Sequence, residues 1–365
     1  MLSCALIDPV RFESEIVSGP DTGDEGSLDA ACRERGVRIV REPALVRRPH
    51  ALLDALAVIR LAARIRRGRF DVVHTHTSKA GILGRLAAWL AGTRVVIHTA
   101  HGWSFSREDS VRTREVWIRL ERLCARLCRS IVVVGEADRE QGLALGVGRP
   151  GQYELIRSGI EIDTYRAGPD RAEARRRIGV PHDAFVVGSV GRLSRQKAPL
   201  DLVDAFARVA AGHPDAHLVL VGDGPDREDV ERAVARAGLG GRVHLLGLRT
   251  DVPDILPAFD VFALTSRWEG LPRVFPQAMA AGLPIVATRV GAAADAITPG
   301  ENGWLTDPGD TEALGSRLAA LADDPARARA MGASGRSRVE EFSARRMVNR
   351  LDALYTRLVE SGARR

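Results

Sequence analysis

Two cations follow a short apolar segment in the second half of the chain. The segment Phe185–Val190 is followed by Gly191-Arg192-Leu193-Ser194-Arg195-Gln196-Lys197. Gly191 lets the backbone approach a ligand, and Arg192 and Lys197 place fixed positive charges beyond the carboxyl end of a predicted strand. Two such charges suit a diphosphate. A solvated basic loop is the alternative interpretation.

A carboxylate and a glycine follow a second apolar segment, Val261–Leu264. The next residues include Trp268-Glu269-Gly270-Leu271-Pro272. Pro272 predicts the first turn of a helix there, so the amides of Gly270 and Leu271 would point at an anion. Glu269 would repel a phosphate at that place unless it faced a neutral group with hydroxyls, such as a sugar. Alternatively, Glu269 only complements the helix dipole.

Histidines and cysteines in the first half are candidates for a metal site. His74 and His76 alternate onto one face of a predicted strand, and His98 and His101 follow. Because no cysteine or carboxylate with metal-ligand spacing lies near them, we expect no metal there. Cys124 and Cys128 lie one helical turn apart, and we expect small buried residues rather than ligands or a disulfide.

Short apolar segments alternate with helical patterns along the whole chain, which predicts βαβ units and parallel sheets. The predicted strands are residues 37–46, 70–75, 94–99, 130–134, 185–190, 217–221, 243–246, 261–264 and 284–288. A helix from Pro199 is predicted to bury Leu200, Val203, Phe206 and Val209. Ligands of such sheets bind beyond the carboxyl ends of the strands, so a cleft between two sheets is the predicted active site.

Length and composition limit the class of protein. The chain has 365 residues, of which 45% are hydrophobic and 27% charged, which favours two globular domains and excludes a disordered chain. It has no apolar stretch long enough to span a bilayer, and its first residues lack the pattern of a signal peptide. We therefore expect a cytoplasmic protein.

Positive charge is concentrated in the first half. Between Arg41 and Arg129 there are 18 Lys and Arg against 7 Asp and Glu, a net charge of +11, whereas the whole chain has +6. Such a region attracts anionic lipid, a phosphorylated acceptor or nucleic acid. With 5% aromatic residues and no nucleic-acid module, nucleic acid is not expected. Residues 111–128 form either a helix on an anionic membrane or an ordinary packing helix.

Several motifs together resemble one family. The order and spacing of Gly191-Arg192-Leu193 with Lys197, Val221-Gly222-Asp223-Gly224-Pro225, residues 243–248 and the Glu269 segment resemble the donor half of family four retaining glycosyltransferases, which have the GT-B fold. Asn302-Gly303 and Pro308-Gly309-Asp310 continue the pattern. Residues 74–81 and 99–102 resemble acceptor-domain segments of exopolysaccharide enzymes in that family, so the resemblance covers almost the whole chain.

The resemblance implies an α/β protein with two Rossmann-like domains that face each other across a cleft. Residues 1–165 would form the acceptor-side domain and residues 166–340 the donor domain, with a helix in 341–365 packing back toward the first. A sugar would pass from a nucleotide sugar, expected to be a UDP-sugar, to a glycan or polyprenyl-phosphate-linked acceptor in polysaccharide biosynthesis. The nucleotide sugar is a substrate, and no cofactor is implied.

The resemblance also implies roles for single residues. Arg192 and Lys197 would hold the donor diphosphate in place of a metal, which fits the lack of any Asp-x-Asp pair in the sequence. Glu269 would contact the transferred sugar, and His101 would help to orient it. Further donor contacts would come from Gly191, from the amides of Gly270 and Leu271, and, for the base, from Gly247, Leu248 and Arg249. No side-chain nucleophile is assigned.

Two departures from the family pattern leave alternatives open. Gln277 stands where the family has a second glutamate, which accepts hydrogen bonds from the ribose, so weaker donor binding is expected. The chain also starts beyond the family's first strand and Gly-rich turn, which indicates either a misassigned start, the favoured interpretation, or a fragment. The alternatives are a catalytically impaired relative that binds nucleotide sugars or glycans, and a nucleotide-sugar epimerase that needs no acceptor.

Overall fold

The computed structural model describes residues 1–20, 27–103 and 110–363. It divides into two compact units. The first comprises Met1–Ser158 with Ala344–Arg365, and the second comprises Gly159–Ser343. The sequence placed the boundary at residues 165 and 166 and treated residues 341–365 separately.

The first unit is a layered α/β structure. Its described strands are β1 (Glu15–Ser18), β2 (Arg38–Arg41), β3 (Val72–His76), β4 (Val95–Ala100), β5 (Ser130–Val133) and β6 (Tyr153–Leu155). The helices that accompany them are α1 (Leu2–Leu6), α2 (Asp29–Glu34), α3 (Ala51–Gly68), α4 (Ser78–Ala91), α5 (Val111–Ala125) and α6 (Glu136–Ala144). Strands β1 and β2 form a parallel pair, and β3-β4-β5-β6 form a parallel sheet. Strand β4 is buried along its whole length, as expected of a central parallel strand.

The second unit contains one parallel sheet of six strands. These are β7 (Phe185–Val190), β8 (Ala216–Val221), β9 (Val243–Leu245), β10 (Val261–Leu264), β11 (Ile285–Thr288) and β12 (Gly303–Thr306). The helices are α7 (Ile162–Arg166), α8 (Arg171–Ile178), α9 (Pro199–Gly212), α10 (Arg227–Arg236), α11 (Val252–Ile255), α12 (Val274–Ala280), α13 (Ala293–Ala296), α14 (Thr311–Asp323) and α15 (Pro325–Arg338). The sheet order β12-β11-β10-β7-β8-β9 is that of a Rossmann fold.

The prediction of parallel α/β layers is confirmed, but one predicted core residue is wrong. Helix α9 buries Leu202, Val203, Phe206 and Val209 against the sheet, whereas Leu200 is exposed. The difference follows from the helical period: Leu202, Phe206 and Val209 are four and three residues apart and share one face, whereas Leu200 lies about 180° from Val209 around the helix. Two strands of the sheet, β7 and β10, have the predicted bounds.

The last helix, α16 (Ala344–Ala363), belongs to the first unit. Its residues Leu351 and Leu354 are buried with Val95, Ile97 and Val132 of the first unit's sheet, and Met347 and Leu358 pack beside them. These residues lie three or four apart, so they form one apolar stripe along the helix. Within the described residues, no helix is long and apolar enough to cross a bilayer.

Candidate active site

The second unit places two functional loops side by side. Strands β7 and β10 are neighbours in the sheet. Val187 pairs with Val261 and Gly188 pairs with Phe262, and the two residues of each pair are 74 positions apart in the sequence. The order of strands reverses between them, and a crevice opens at such a point beyond the carboxyl ends of the strands. Residues 191–198 leave β7 there, and residues 265–273 leave β10.

A direct ion pair joins the two loops. Lys197 Nζ donates to Glu269 Oε1 at 2.5 Å, and both side chains are largely buried. Ser266 Oγ donates to the same carboxylate oxygen at 2.8 Å. The predicted phosphate-binding cation and the predicted sugar-binding carboxylate are therefore in contact. Arg192 lies half-buried, two residues beyond the end of β7.

Further hydrogen bonds hold the loops in this arrangement. Thr265 Oγ1 lies 3.0 Å from the carbonyl oxygen of Lys197 and 2.9 Å from that of Ala198. Gln196 Nε2 donates to the carbonyl of Trp268 at 3.0 Å, and the Arg267 amide donates to the carbonyl of Gln196 at 2.8 Å. These hydrogen bonds connect residues 196–198 of the first loop with residues 265–268 of the second.

The helix after Glu269 begins later than the sequence predicted. The first residue of α12 is Val274, not Pro272, because the chain first makes a turn in which the Phe275 amide donates to the carbonyl of Pro272 at 3.1 Å. Gly270 and Leu271 therefore lie in the loop before the helix, and both are buried. In the described part of the chain, neither of their amides has a hydrogen-bond acceptor.

Gly291 supports the Glu269 loop, and sequence reasoning missed it. Its φ is +48°, and a Cβ at this position would lie 2.1 Å from the carbonyl oxygen of Glu269 and 2.4 Å from that of Gly270. The neighbouring Ala292 amide donates to the carbonyl of Gly270 at 2.9 Å. The only signal in the sequence was a single glycine three residues after a predicted strand. Such a glycine indicates a turn, but it does not reveal a contact with the Glu269 loop.

The segment predicted to meet the base packs beside the β7 loop. The carbonyl of Gly247 accepts a hydrogen bond from the amide of Gly222 at 2.8 Å. Gly222 has φ +134°, and a Cβ there would lie 2.1 Å from the carbonyl oxygen of Gly191. Leu248 is exposed, and the Arg249 guanidinium donates to both carboxylate oxygens of Asp251, at 2.7 and 2.5 Å. The Arg249 side chain is therefore already paired.

Gln277 has a partner that the sequence did not reveal. Its Nε2 lies 2.8 Å from the hydroxyl of Tyr165, which comes from α7. Burial raises the pKa of Tyr165; the charge of Arg273 opposes this, and that of Glu161 adds to it. The hydroxyl is therefore neutral near pH 7 and accepts from the amide. The side-chain oxygen Oε1 of Gln277 is left to accept a hydrogen bond from a ligand.

His101 lies in the first unit and stacks on a second histidine. Its Nε2 is 3.1 Å from His76 Nδ1, and the ring centroids are 5.3 Å apart. His74 lies between the Tyr355 hydroxyl, at 2.6 Å, and Thr99 Oγ1, at 2.7 Å. Burial lowers the pKa of His74 well below its usual range, and the neighbouring histidines lower it further. Among the described residues, no group of three or more His, Cys, Asp and Glu has the arrangement of a metal site.

A cavity of about 170 Å³ adjoins His101. Its lining consists of Thr77, Ser78, His98, Ala100, His101, Gly102, Trp103 and Glu121. Glu121 and Arg85 form a fully buried ion pair at 2.8 Å between α5 and α4. The carboxylate and ring nitrogens of this lining are groups that bind hydroxyls.

Two cysteines, Cys124 in α5 and Cys128 just after it, do not line this cavity. Cys124 and Cys128 are buried, as predicted, and are free thiols. Burial raises the pKa of the Cys128 thiol to about 11, although the charge of Arg85 opposes the shift. Such thiols remain protonated and unreactive at neutral pH.

Comparison with known proteins gives matches over both units. The model described as Glycosyltransferase Family 4 matches residues 11–164, and that described as Glycosyl transferases group 1 matches residues 170–338. The Escherichia coli enzyme UDP-Gal:alpha-D-GlcNAc-diphosphoundecaprenol alpha-1,3-galactosyltransferase is 30% identical over 314 residues, which are 82% of this chain and 81% of that protein. Alpha-maltose-1-phosphate synthase of Mycolicibacterium smegmatis is 33% identical over 301 residues, 74% and 75% of the two chains.

Solved structures agree with this similarity. HepE of Anabaena in complex with UDP-glucose has a TM-score of 0.81 and 25% identity, with 93% of this chain and 91% of that chain covered. Sucrose-phosphate synthase of Thermosynechococcus elongatus has a TM-score of 0.80 and 25% identity, with 95% and 88% covered.

Proposed function

This chain belongs to the family 4 glycosyltransferases, which have the GT-B fold, and from that premise we propose that it is a retaining enzyme that uses a UDP-sugar. The acceptor is a glycan or a polyprenyl-phosphate-linked sugar. The relative from Escherichia coli carries a UDP-galactose donor and a diphosphoundecaprenol acceptor in its name, and HepE was solved with UDP-glucose. Both support this choice of substrates.

The observation that carries the proposal is the contact between Lys197 and Glu269 at the switch point of the sheet. A bound diphosphate gives Lys197 an anionic partner, and Arg192 supplies a second cation from the same loop. Two fixed cations stabilise the nucleoside diphosphate as it leaves, without requiring a metal. The free amides of Gly270 and Leu271 add donors to the phosphate oxygens.

Glu269 then faces the transferred sugar. Its Oε1 accepts from both Lys197 and Ser266, which holds the carboxylate in one orientation, and we assign Oε2 to a sugar hydroxyl. We assign the backbone of Gly247, Leu248 and Arg249 to the base, and Gln277 to one ribose hydroxyl. His101 orients the sugar, and the cavity beside it receives the acceptor.

Retention of configuration needs no side-chain nucleophile in this scheme. The departing phosphate oxygen accepts the proton of the acceptor hydroxyl, and the new glycosidic bond forms on the face from which the phosphate leaves. The protein's contribution is to position both substrates and to stabilise the negative charge of the leaving diphosphate.

Thermal unfolding of the purified chain with UDP, GDP and ADP tests the donor. A nucleotide at about a hundred times its Kd adds about 2.7 kcal/mol to the free energy of unfolding, so UDP alone should raise the unfolding temperature. Transfer from the matching UDP-sugar should then depend on an added acceptor, and the product should keep the anomeric configuration of the donor. Conversion of the donor without acceptor would instead indicate an epimerase. Failure of all three nucleotides to stabilise a cooperatively melting chain would refute the donor site.

A further inference from the structure

The outer face of α3 is apolar although it is exposed. Leu52, Leu56 and Ile59 are 79%, 42% and 63% exposed. With 3.6 residues per turn, these three side chains fall within an arc of about 60° on the helix. The buried face of the same helix is formed by other residues, Ala57 and Leu61. The three exposed side chains are therefore not needed for the core of the first unit.

Two more exposed apolar residues lie at the end of the adjacent helix. Trp89 and Leu90 are exposed in the last turn of α4. Arg66 of α3 donates to the carbonyl of Leu90 at 2.8 Å, which brings the carboxyl ends of the two helices together. We define the α3 surface as these five exposed apolar residues together with three exposed arginines: Leu52, Leu56, Ile59, Trp89, Leu90, Arg47, Arg48 and Arg67.

The exposed charges along α3 and in the segment before it have one sign. The exposed residues from position 43 to 69 include six arginines and no acidic residue. Arg47 and Arg48 precede α3, and Arg67 lies in its last turn; within the described residues, none of the three has a carboxylate partner. The one acidic residue of this stretch, Asp54, is largely buried and paired with Lys79, and Glu42, just before the stretch, is buried.

We propose that the α3 surface binds an anionic phospholipid bilayer. Exposed aliphatic side chains and a tryptophan enter the boundary between head groups and acyl chains, and arginines bind the lipid phosphates. A soluble protein partner would be expected to offer acidic side chains to the arginines. It would not require the α3 surface to be apolar at its centre and basic at both ends. This inference does not depend on the donor site of the second unit.

Helix α5, which the sequence suggested for this role, fits it less well. Its exposed aliphatic residues Val111, Val116 and Leu123 span an arc of about 140° on the helix. Glu115 lies on the same helix, half-exposed, and pairs with Arg119 at 2.9 Å. Its outer face thus lacks both the narrow apolar stripe and the single sign of charge.

Vesicle flotation of the full chain tests the proposal. Vesicles of phosphatidylcholine with phosphatidylglycerol should bind the protein, and those of phosphatidylcholine alone should bind it much less. The variant Leu52→Ser/Leu56→Ser/Ile59→Ser should lose at least about a hundredfold in partition, since each buried methylene contributes about fourfold. Arg47→Gln/Arg48→Gln/Arg67→Gln should lose about fivefold per arginine, an effect that salt also produces.

A matched variant on α5, Val111→Ser/Val116→Ser/Leu123→Ser, should bind vesicles like the original chain. All these positions are exposed, and equal unfolding temperatures would show that the fold is intact. Loss of binding in the α5 variant with none in the α3 variant would overturn the proposal. So would a concentration-dependent dimer that the α3 changes abolish without any vesicle binding. UDP binding should be the same in every variant, which separates this test from that of the donor site.

Discussion

At the scale of single residues, one oxygen of Glu269 connects the predicted phosphate site to the predicted sugar site. Lys197 and Ser266 both donate to it, and no other cation in the described residues contacts that carboxylate. When a diphosphate binds, Lys197 gains a second anion to neutralise. The Lys197 side chain is therefore expected to contribute both to diphosphate binding and to holding Glu269 in place.

Replacing Lys197 by methionine tests this double role. The change keeps the length of the side chain but removes a charged hydrogen bond, which is worth about 1.5–3 kcal/mol, so UDP affinity should fall about tenfold to a hundredfold. Titration calorimetry measures the affinity. Arg195→Met, an exposed position in the same loop, is the control and should leave the affinity unchanged. If both variants bind UDP with equal affinity, Lys197 does not contribute to the UDP site.

Gln277 allows a gain of function to be predicted. In Gln277→Glu, the Tyr165 hydroxyl would donate to a carboxylate instead of accepting from an amide, and the second carboxylate oxygen would accept from the ribose with the help of its charge. We expect the KM for the UDP-sugar to fall about tenfold, for about 1–2 kcal/mol of added affinity. Steady-state kinetics measures it. An unchanged or higher KM would mean that Gln277 does not contact the donor.

At the scale of elements, the loop after β11 supports the loop after β10 through Gly291. In Gly291→Ala, the new Cβ would meet two backbone carbonyls that cannot move independently, so residues 269–270 must shift. We expect a loss of more than about 1 kcal/mol in unfolding free energy, and weaker UDP binding. Chemical denaturation and calorimetry measure the two effects.

Gly300→Ala is the matched control for that change. Gly300 also has positive φ, +85°, but a Cβ there would meet nothing within 4 Å. Its replacement should cost only the strain of a left-handed alanine, about 1 kcal/mol, and leave UDP binding unchanged. If both variants bind UDP normally, the Gly291 contact does not position the site.

The buried ion pair between α4 and α5 gives predictions of different size for single and double changes. Arg85→Met leaves the Glu121 carboxylate buried without its cation, which should cost about 3–5 kcal/mol, whereas Arg85→Met/Glu121→Leu should cost much less. Urea unfolding of each variant measures the difference. A double variant as unstable as the single one would show that packing, not charge, accounts for the loss.

The sequence predicted elements best where apolar residues run without interruption. Strands β7 and β10 have the predicted bounds, but β1, β6 and β12 were missed because these short segments contain Glu15, Glu154 and Gly303, respectively, and form no uninterrupted apolar run. The prediction of Leu200 as a buried residue of α9 was wrong because it used a spacing of three, whereas the 3.6-residue period places Leu202 on the face of Phe206 and Val209.

For the site, the residue types and the loops could be predicted, but the contacts could not. Lys197 and Glu269 are 72 positions apart, and only the neighbouring positions of β7 and β10 in the sheet bring them together. The partners Tyr165 and Gly291 act through tertiary contacts, which leave no periodic signal in the sequence. Assigning the site from sequence therefore depended on the family resemblance.

At the scale of the whole molecule, buried neutral histidines should make stability depend on pH. Burial holds the pKa values of His74 and His98 well below 6.5, and for His98 the charge of Arg85 adds to the effect. The unfolded chain therefore binds protons at these two histidines over a range in which the folded chain does not. Their contribution to stability is fully present above about pH 6.5 and is lost as pH falls below it.

Denaturation between about pH 4.5 and 6.5 measures this effect, because most carboxylates stay ionised there. Each of the two histidines should contribute a slope of up to about 1.4 kcal/mol per pH unit, with stability rising as pH rises. Acid also adds positive charge to a chain whose net charge is already +6, so added salt should weaken only the part of the slope that arises from general repulsion. His98→Gln should remove one histidine's share at any salt concentration. If the slope of that variant equals the original, the buried ring is not the group that binds the proton on unfolding.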